Sequence, residues 1–154
     1  MEMHGELRIA APRAAVWEKL NDPETLKACI PGCEAVEKVS DTEFTAKVVA
    51  RVGPVKASFS GKVTLTDLDP PAGYTITGEG TGGVAGFAKG SAKVALDDAG
   101  AETVLRYGVQ AQVGGKLAQI GSRLIDATSR KMADEFFTRF LGVMNPTPAE
   151  PSAS

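Results

Sequence analysis

Between residues 44 and 113 apolar and polar side chains take turns, and after Gly114-Gly115 that alternation gives way to spacings of three and four. A period of two belongs to strands with one buried and one wet face, and a period near 3.6 to an amphipathic helix. Phe44, Ala46, Val48, Ala50 and Val52 alternate with Thr45, Lys47, Val49 and Arg51. Val55, Ala57, Phe59, Gly61, Val63 and Leu65 alternate with Lys56, Ser58, Ser60, Lys62 and Thr64. Tyr74, Ile76, Gly78 and Gly80 then alternate with Thr75, Thr77, Glu79 and Thr81. Ala88, Gly90, Ala92, Val94 and Leu96 follow, and then Leu105, Tyr107, Val109, Ala111 and Val113. Asp69-Pro70-Pro71-Ala72-Gly73 and Asp97-Asp98-Ala99-Gly100 are turns by composition. Successive strands of this kind predict an antiparallel sheet with one solvated face.

The flanks of this region complete the fold. Residues 2–10 read as a strand. Pro12 suits a first helical turn, so Ala14 to Leu20 is predicted helical. Asp22 is placed to cap a second short helix, with Pro23 at its first position, running to about Cys29. Pro31-Gly32 ends it. After Gly115, residues Leu117, Ile120, Gly121, Leu124, Ile125, Thr128, Met132, Phe136 and Phe140 form one stripe. That predicts a single helix of about 26 residues, on the order of 39 Å long, closed by Gly142. Asn145 to Ser154 is rich in Pro, Ala and Ser, as linkers and disordered tails are. The expected organisation is a domain over 1–142 and a tail over 143–154. A long apolar stripe needs an apolar partner, and the inner face of the sheet is the one available. The expected class is α+β: a curved antiparallel sheet of six or seven strands wrapped around a long C-terminal helix, a helix-grip arrangement.

Several chemistries lack their residues. Gly78-x-Gly80-x-x-Gly83 matches the dinucleotide-binding fingerprint letter for letter, yet the segment after it alternates as a strand. A working fingerprint opens a helix, whose N-terminus takes the pyrophosphate. Gly114-Gly115-Lys116 fails as a P-loop, with Gln110 and Leu117 where glycine and a hydroxyl residue are needed. His4 is the only histidine, so a serine or cysteine nucleophile has no obvious base. Glu79, Asp97, Asp98 and Glu102 fall on outward phases or in turns. Asp126, beside the helical stripe, is placed to pair with Arg130. Cys29 and Cys33 would need two more ligands for zinc, and they are expected as reduced, partly buried thiols. A formal net charge of -2 with scattered Lys and Arg gives no footprint of a nucleic-acid partner. No apolar run approaches the roughly 20 residues that span a bilayer. The N-terminus has no secretory-signal pattern, so a cytoplasmic protein is expected.

What remains is space. Ala46, Ala50, Ala57, Gly61, Gly78, Gly80, Ala88, Gly90, Ala92 and Ala111 all fall on the inward phase. A solid core interleaves large and small groups to native density. So many small groups on one concave face predict a cavity between sheet and helix. Its expected wall is Val48, Phe59, Val63, Val84, Phe87, Val94, Tyr107 and Val109 from the sheet side. Leu117, Ile120, Gly121, Leu124 and Met132 are expected from the helix, with Trp17, Leu26 and Ile30 at the short-helix end. Such a pocket suits a lipophilic ligand, and Tyr107 is the candidate for one orienting hydrogen bond.

Specific motifs sharpen this reading. Asn21-Asp22-Pro23-Glu24, Cys29-Ile30-Pro31-Gly32-Cys33 and Val52-Gly53-Pro54-Val55-Lys56 resemble the G-subunit family of carbon monoxide dehydrogenase. So do Leu65-Thr66-Asp67-Leu68-Asp69-Pro70-Pro71, Gly78-Glu79-Gly80, Gly86-Phe87-Ala88-Lys89-Gly90 and the run from Gly114 to Ile125. The resemblance covers residues 1 to about 142 and places the chain in the wider START-like helix-grip (SRPBCC) superfamily. It implies a non-enzymatic accessory protein of aerobic molybdenum CO dehydrogenase. It further implies menaquinone or a similar polyprenyl quinone as bound ligand, and a position peripheral to the inner face of the cell membrane. The resemblance also implies a tail of the kind family members often carry, a flexible linker leading to a membrane-binding segment, and the sequence here ends in the linker-like part. No motif of the family assigns the quinone contacts, so the wall residues stand on geometry alone.

Overall fold

A computed structural model describes residues 1–144 of the chain. Strand β1 (Glu2–Ile9) leads into helices α1 (Arg13–Leu20) and α2 (Pro23–Cys29). Six strands follow: β2 (Cys33–Ser40), β3 (Glu43–Val52), β4 (Val55–Asp69), β5 (Gly73–Thr81), β6 (Phe87–Ala99) and β7 (Glu102–Gly114). Helix α3 (Ser122–Met144) closes the described chain. All seven strands form one antiparallel sheet in the order β1-β7-β6-β5-β4-β3-β2. Every strand after β1 pairs with its neighbour in sequence, and β1 adds to the far edge beside β7.

The register explains why the alternation reads cleanly. Phe44 faces Val63, Val63 faces Gly78, and Gly78 faces Gly90. Gly90 in turn faces Ala111. Directly opposed residues in an antiparallel pair share a face, so the inward phases of five strands merge into one surface. The outer face carries matching polar rows, such as Lys62-Glu79-Lys89-Gln112. The short helices follow their predicted signals. Asp22 accepts a hydrogen bond from the Glu24 backbone N–H at 3.2 Å and Pro23 opens α2, while Pro12 stands one residue before α1, at its N-cap position, with no side-chain capping bond.

The long helix departs from expectation at both ends. Gly115–Ile120 is a separate 3₁₀ segment, and α3 itself has 23 residues, about 34 Å. Gly121 joins the two with φ +102, a conformation open to glycine and strained for other residues. The period of three that put Leu117 and Ile120 on the stripe is also the period of a 3₁₀ turn. At the far end α3 runs through Gly142 to Met144, and Val143 and Met144 pack against the core. Residues 145–154, most of the expected tail, lie outside the described residues. Asp126 and Arg130 form no ion pair; the helix carries Glu135–Arg139 at 3.8 Å instead.

The core occupies one end of the sheet. Ile9, Val16, Leu96, Leu105 and Phe140 are almost completely buried, with Leu20, Phe44, Leu65 and Tyr74 around them. Phe136, Phe137 and Leu141 from the same half of α3 pack against this cluster, as do Trp17 and Leu26. Thr103, fully buried, donates to the Ala11 carbonyl at 2.8 Å and ties β7 to the start of α1.

Candidate functional site

Beyond that cluster the inner face is lined but not filled. Val48, Ala50, Ala57, Phe59, Gly61, Gly78, Gly80, Ala88, Gly90, Ala92, Val109 and Ala111 are all only half-buried, and none belongs to the core cluster. The glycines show why. A Cβ at Gly78 would meet only Val63 Cγ2 at 3.5 Å and the Lys62 carbonyl at 3.6 Å. At Gly80 the nearest atoms belong to Ser60 and Gly61 of the neighbouring strand, at 3.5 Å and beyond. Neither position is small because a helix presses on it. The carboxyl-terminal half of α3 seals its end of the sheet with phenylalanines. Its amino-terminal end reaches the β3–β4 tip, where Leu124 lies 3.4 Å from the Gly53 Cβ position, and α3 supplies none of the atoms nearest the Cβ positions at Gly61, Gly78, Gly80 or Gly90.

The expected wall residues divide into groups. Val48 and Phe59 face each other on the inner surface, with Gly78, Gly80 and Val109 on the same face. Phe59 also lies against Gly82, where a Cβ would come within 2.7 Å of its ring. Met132 is half-buried on α3. Val63, Val94, Leu26 and Trp17 border the filled core, and Ile30 is the half-buried C-cap of α2. Leu117 is buried in the 3₁₀ segment. Ile120 and Leu124 sit at the open end, each with an atom 3.4 Å from where a Gly53 Cβ would be.

Three placements differ from the sequence reading. Phe87 opposes Thr81 and Gly114, which puts it on the outer face, where its ring covers Gly114. Val84 is 91% exposed at the tip of the β5–β6 connection, in a 3₁₀ turn over Gly83–Ala85. Gly121 is exposed with open space around its Cβ position, so it serves as a hinge of geometry and not as a thin spot in a wall.

Tyr107 lies in a crevice of about 300 Å³ between β1 and α3, with Arg130, Asp134 and Phe137. Its ring stacks on Phe137 at 5.0 Å and lies over Gly5. Burial pushes its hydroxyl pKa up, Asp134 adds to the rise, and Arg130 offsets part of it. The hydroxyl is a neutral donor at physiological pH. A second phenol was missed. Tyr74 is 6% exposed, packs edge-on against Trp17 at 4.9 Å, and its hydroxyl finds no hydrogen-bond partner among the described residues. Burial raises its pKa strongly. It is the polar atom on the inward phase of β5, a cue visible in the alternation.

A broad concavity lies on the other side of the sheet. A groove of about 730 Å³ crosses β2 to β6 on the outer face, edged by Glu37, Lys47, Lys62, Glu79 and Lys89 and floored by Ala46, Gly61, Gly80 and Ala88. It is polar-edged and open to solvent. Cys29 and Cys33 are free thiols, and burial raises the pKa of each. Among the described residues no helix is long and apolar enough to cross a membrane.

A curved seven-stranded antiparallel sheet gripping a C-terminal helix, with two short helices after its first strand, is the START-like helix-grip class. A START superfamily protein from Mycobacterium smegmatis superposes with TM-score 0.72 at 10% identity, over 94% of this chain and 97% of that one. The family model for the carbon monoxide dehydrogenase G-subunit (CoxG) matches residues 5–143, and the chain belongs to that family. A conserved protein from Geobacillus kaustophilus superposes with TM-score 0.87 at 28% identity, over 95% of this chain and 96% of that one. The ZhuI aromatase/cyclase from a Streptomyces species shares the fold, with TM-score 0.66 at 17% identity over 97% of each chain. No curated protein matches the sequence.

Proposed function

We propose that this chain is a non-enzymatic carrier of a polyprenyl quinone, menaquinone in type, which it links to a molybdenum CO dehydrogenase at the inner face of the cell membrane. Family membership supports the association with the dehydrogenase. The observation that carries the ligand is the half-exposed inner face, with Gly78 and Gly80 uncrowded by any atom of α3. Its residues are Val, Ala, Gly and Phe, which offer no group for proton transfer. Burial of isoprenoid surface there, at roughly 25 cal/mol per Å², would drive binding. The Tyr107 hydroxyl at the β1–α3 crevice is the donor best placed to orient a carbonyl.

The test is mass spectrometry of an organic extract of the purified protein, followed by uptake of added menaquinone. An empty protein that also takes up none overturns the reading.

A second reading, an adaptor with no ligand role, draws on the outer groove across five strands, whose Lys and Glu edges suit a protein surface. Dehydrogenase pull-down that is indifferent to quinone, from a protein that binds none, favours the adaptor.

A further inference from the structure

Three connections meet at the open end of the sheet. The β3–β4 hairpin tip at Gly53 lies against Ile120 and Leu124. The β5–β6 turn at Gly86 abuts Gly115 and the backbone of Leu117. This end carries exposed apolar side chains, Val84 at 91% and Leu124 at 46%. Isolated exposed valines are ordinary on a soluble surface; the charges around these are not. Arg51, Lys56, Lys116 and Arg123 are all exposed here. None of them joins an ion pair among the described residues, where the pairs are Arg8–Glu102, Lys62–Glu43, Arg106–Asp97 and Arg139–Glu135.

The acids are missing from the sequence around them. No Asp or Glu occurs in residues 44–66, 80–96 or 103–125, in a chain whose net charge is -2. The first acid on α3 is Asp126, half-buried one turn further in. Two local arrangements cost stability unless an anion answers them. Arg51 and Lys56 stand directly opposite each other in the β3–β4 register, and opposed like charges repel. Arg123 is in the first turn of α3, where the helix dipole disfavours a cation.

We propose that this loop end docks the protein on an anionic lipid bilayer. Val84 and Leu124 enter the interface, and Arg51, Lys56, Lys116 and Arg123 meet the lipid phosphates. Clustered cations beside exposed apolar side chains are the pattern that anionic membrane surfaces attract. The half-exposed inner face would then open toward the membrane, the source of a quinone. In purpose the proposal rests on the carrier reading above; in its chemistry it does not.

The experiment is co-sedimentation of the full chain with quinone-free vesicles. One set is phosphatidylcholine, the other phosphatidylcholine with phosphatidylglycerol. The expected result is association with the anionic set only, lost at high salt. Arg51→Glu with Lys56→Glu should lower it by about tenfold or more, and Val84→Asp should lower it as well. The tail is intact in all variants, and circular dichroism checks their fold. Vesicle binding that survives both variants overturns the proposal, as does equal binding to neutral vesicles. Variants that bind vesicles normally but lose the dehydrogenase also overturn it, in favour of a protein partner. Quinone uptake from detergent solution is measured in parallel. Normal uptake without vesicle binding sinks the docking surface alone, whereas charge-dependent vesicle binding without uptake supports docking and sinks the carrier.

Discussion

The two ends of this sheet have the same strands and opposite fates. At one end Phe44, Leu65, Tyr74, Leu96 and Leu105 meet Phe140 of α3, and all are buried. At the other the same strands offer Gly61, Gly80, Ala88 and Ala111, and all stay half-exposed. The β3–β4, β5–β6 and β6–β7 ladders run unbroken between the two ends, and β4–β5 shifts register only beyond Thr66, so the main change along the inner face is in side-chain volume. A continuous ladder of backbone hydrogen bonds therefore lets the fold leave one end of its inner face unfilled. The closed end supplies stability, and the open end is free to serve a ligand.

The sharpest way to break this comparison is the same kind of truncation at both ends. Phe140→Ala should cost about 3–5 kcal/mol, and Val48→Ala on the open face about 1 kcal/mol or less, by chemical denaturation. Equal losses would mean that the open end is packed after all. Gly121→Ala should come next, at about 1–3 kcal/mol, because φ +102 is strained for a side chain. A loss confined to the start of α3 in amide exchange would mark that glycine as the seam between the two halves.

Tyr74 tests the closed end by pH. Its burial raises the phenol pKa above the ordinary 10.0, so the folded chain holds the proton more tightly than the unfolded chain. Stability is then full below about pH 10 and falls as pH rises past it. Tyr74→Phe should remove its share of that alkaline loss. At neutral pH the variant should be neutral or more stable by about 1 kcal/mol, since it removes an unpaired buried hydroxyl. Urea titrations of both proteins on either side of pH 10 check this. The smallest effect on stability should be that of Gly80→Leu, under about 1 kcal/mol, because its Cβ would make only ordinary contacts at 3.5 Å. The same change should abolish quinone uptake in a fluorescence titration. Normal uptake would place the ligand elsewhere, with the outer groove the next surface to probe.

Much of the fold was legible because its signals are local. Alternation named the inner face position by position, and the register brought those positions onto one surface. Asp22 and Pro23 marked α2 for the same reason: a cap and a proline act within one turn. The long helix misled because periods of three and 3.6 coincide over a few residues, so the 3₁₀ segment passed for helix until Gly121 showed its φ. Val84 was misplaced since no periodicity governs a connection of five residues, whereas Phe87 opens β6 and its outward phase beside the inward Ala88 was readable from the alternation. Tyr74 was readable as inward but not as unpaired, a property that depends on what surrounds it.

The sequence alone determined which residues share a face, the order of the elements, and the family, because these rest on spacing and on short motifs. Only the tertiary structure decided which half of that face is filled, by setting α3 down on the Phe140 end. It alone also brought Gly53, Gly86 and Ile120 together. Contacts between segments tens of residues apart arise from packing, and packing has no local signature in the chain.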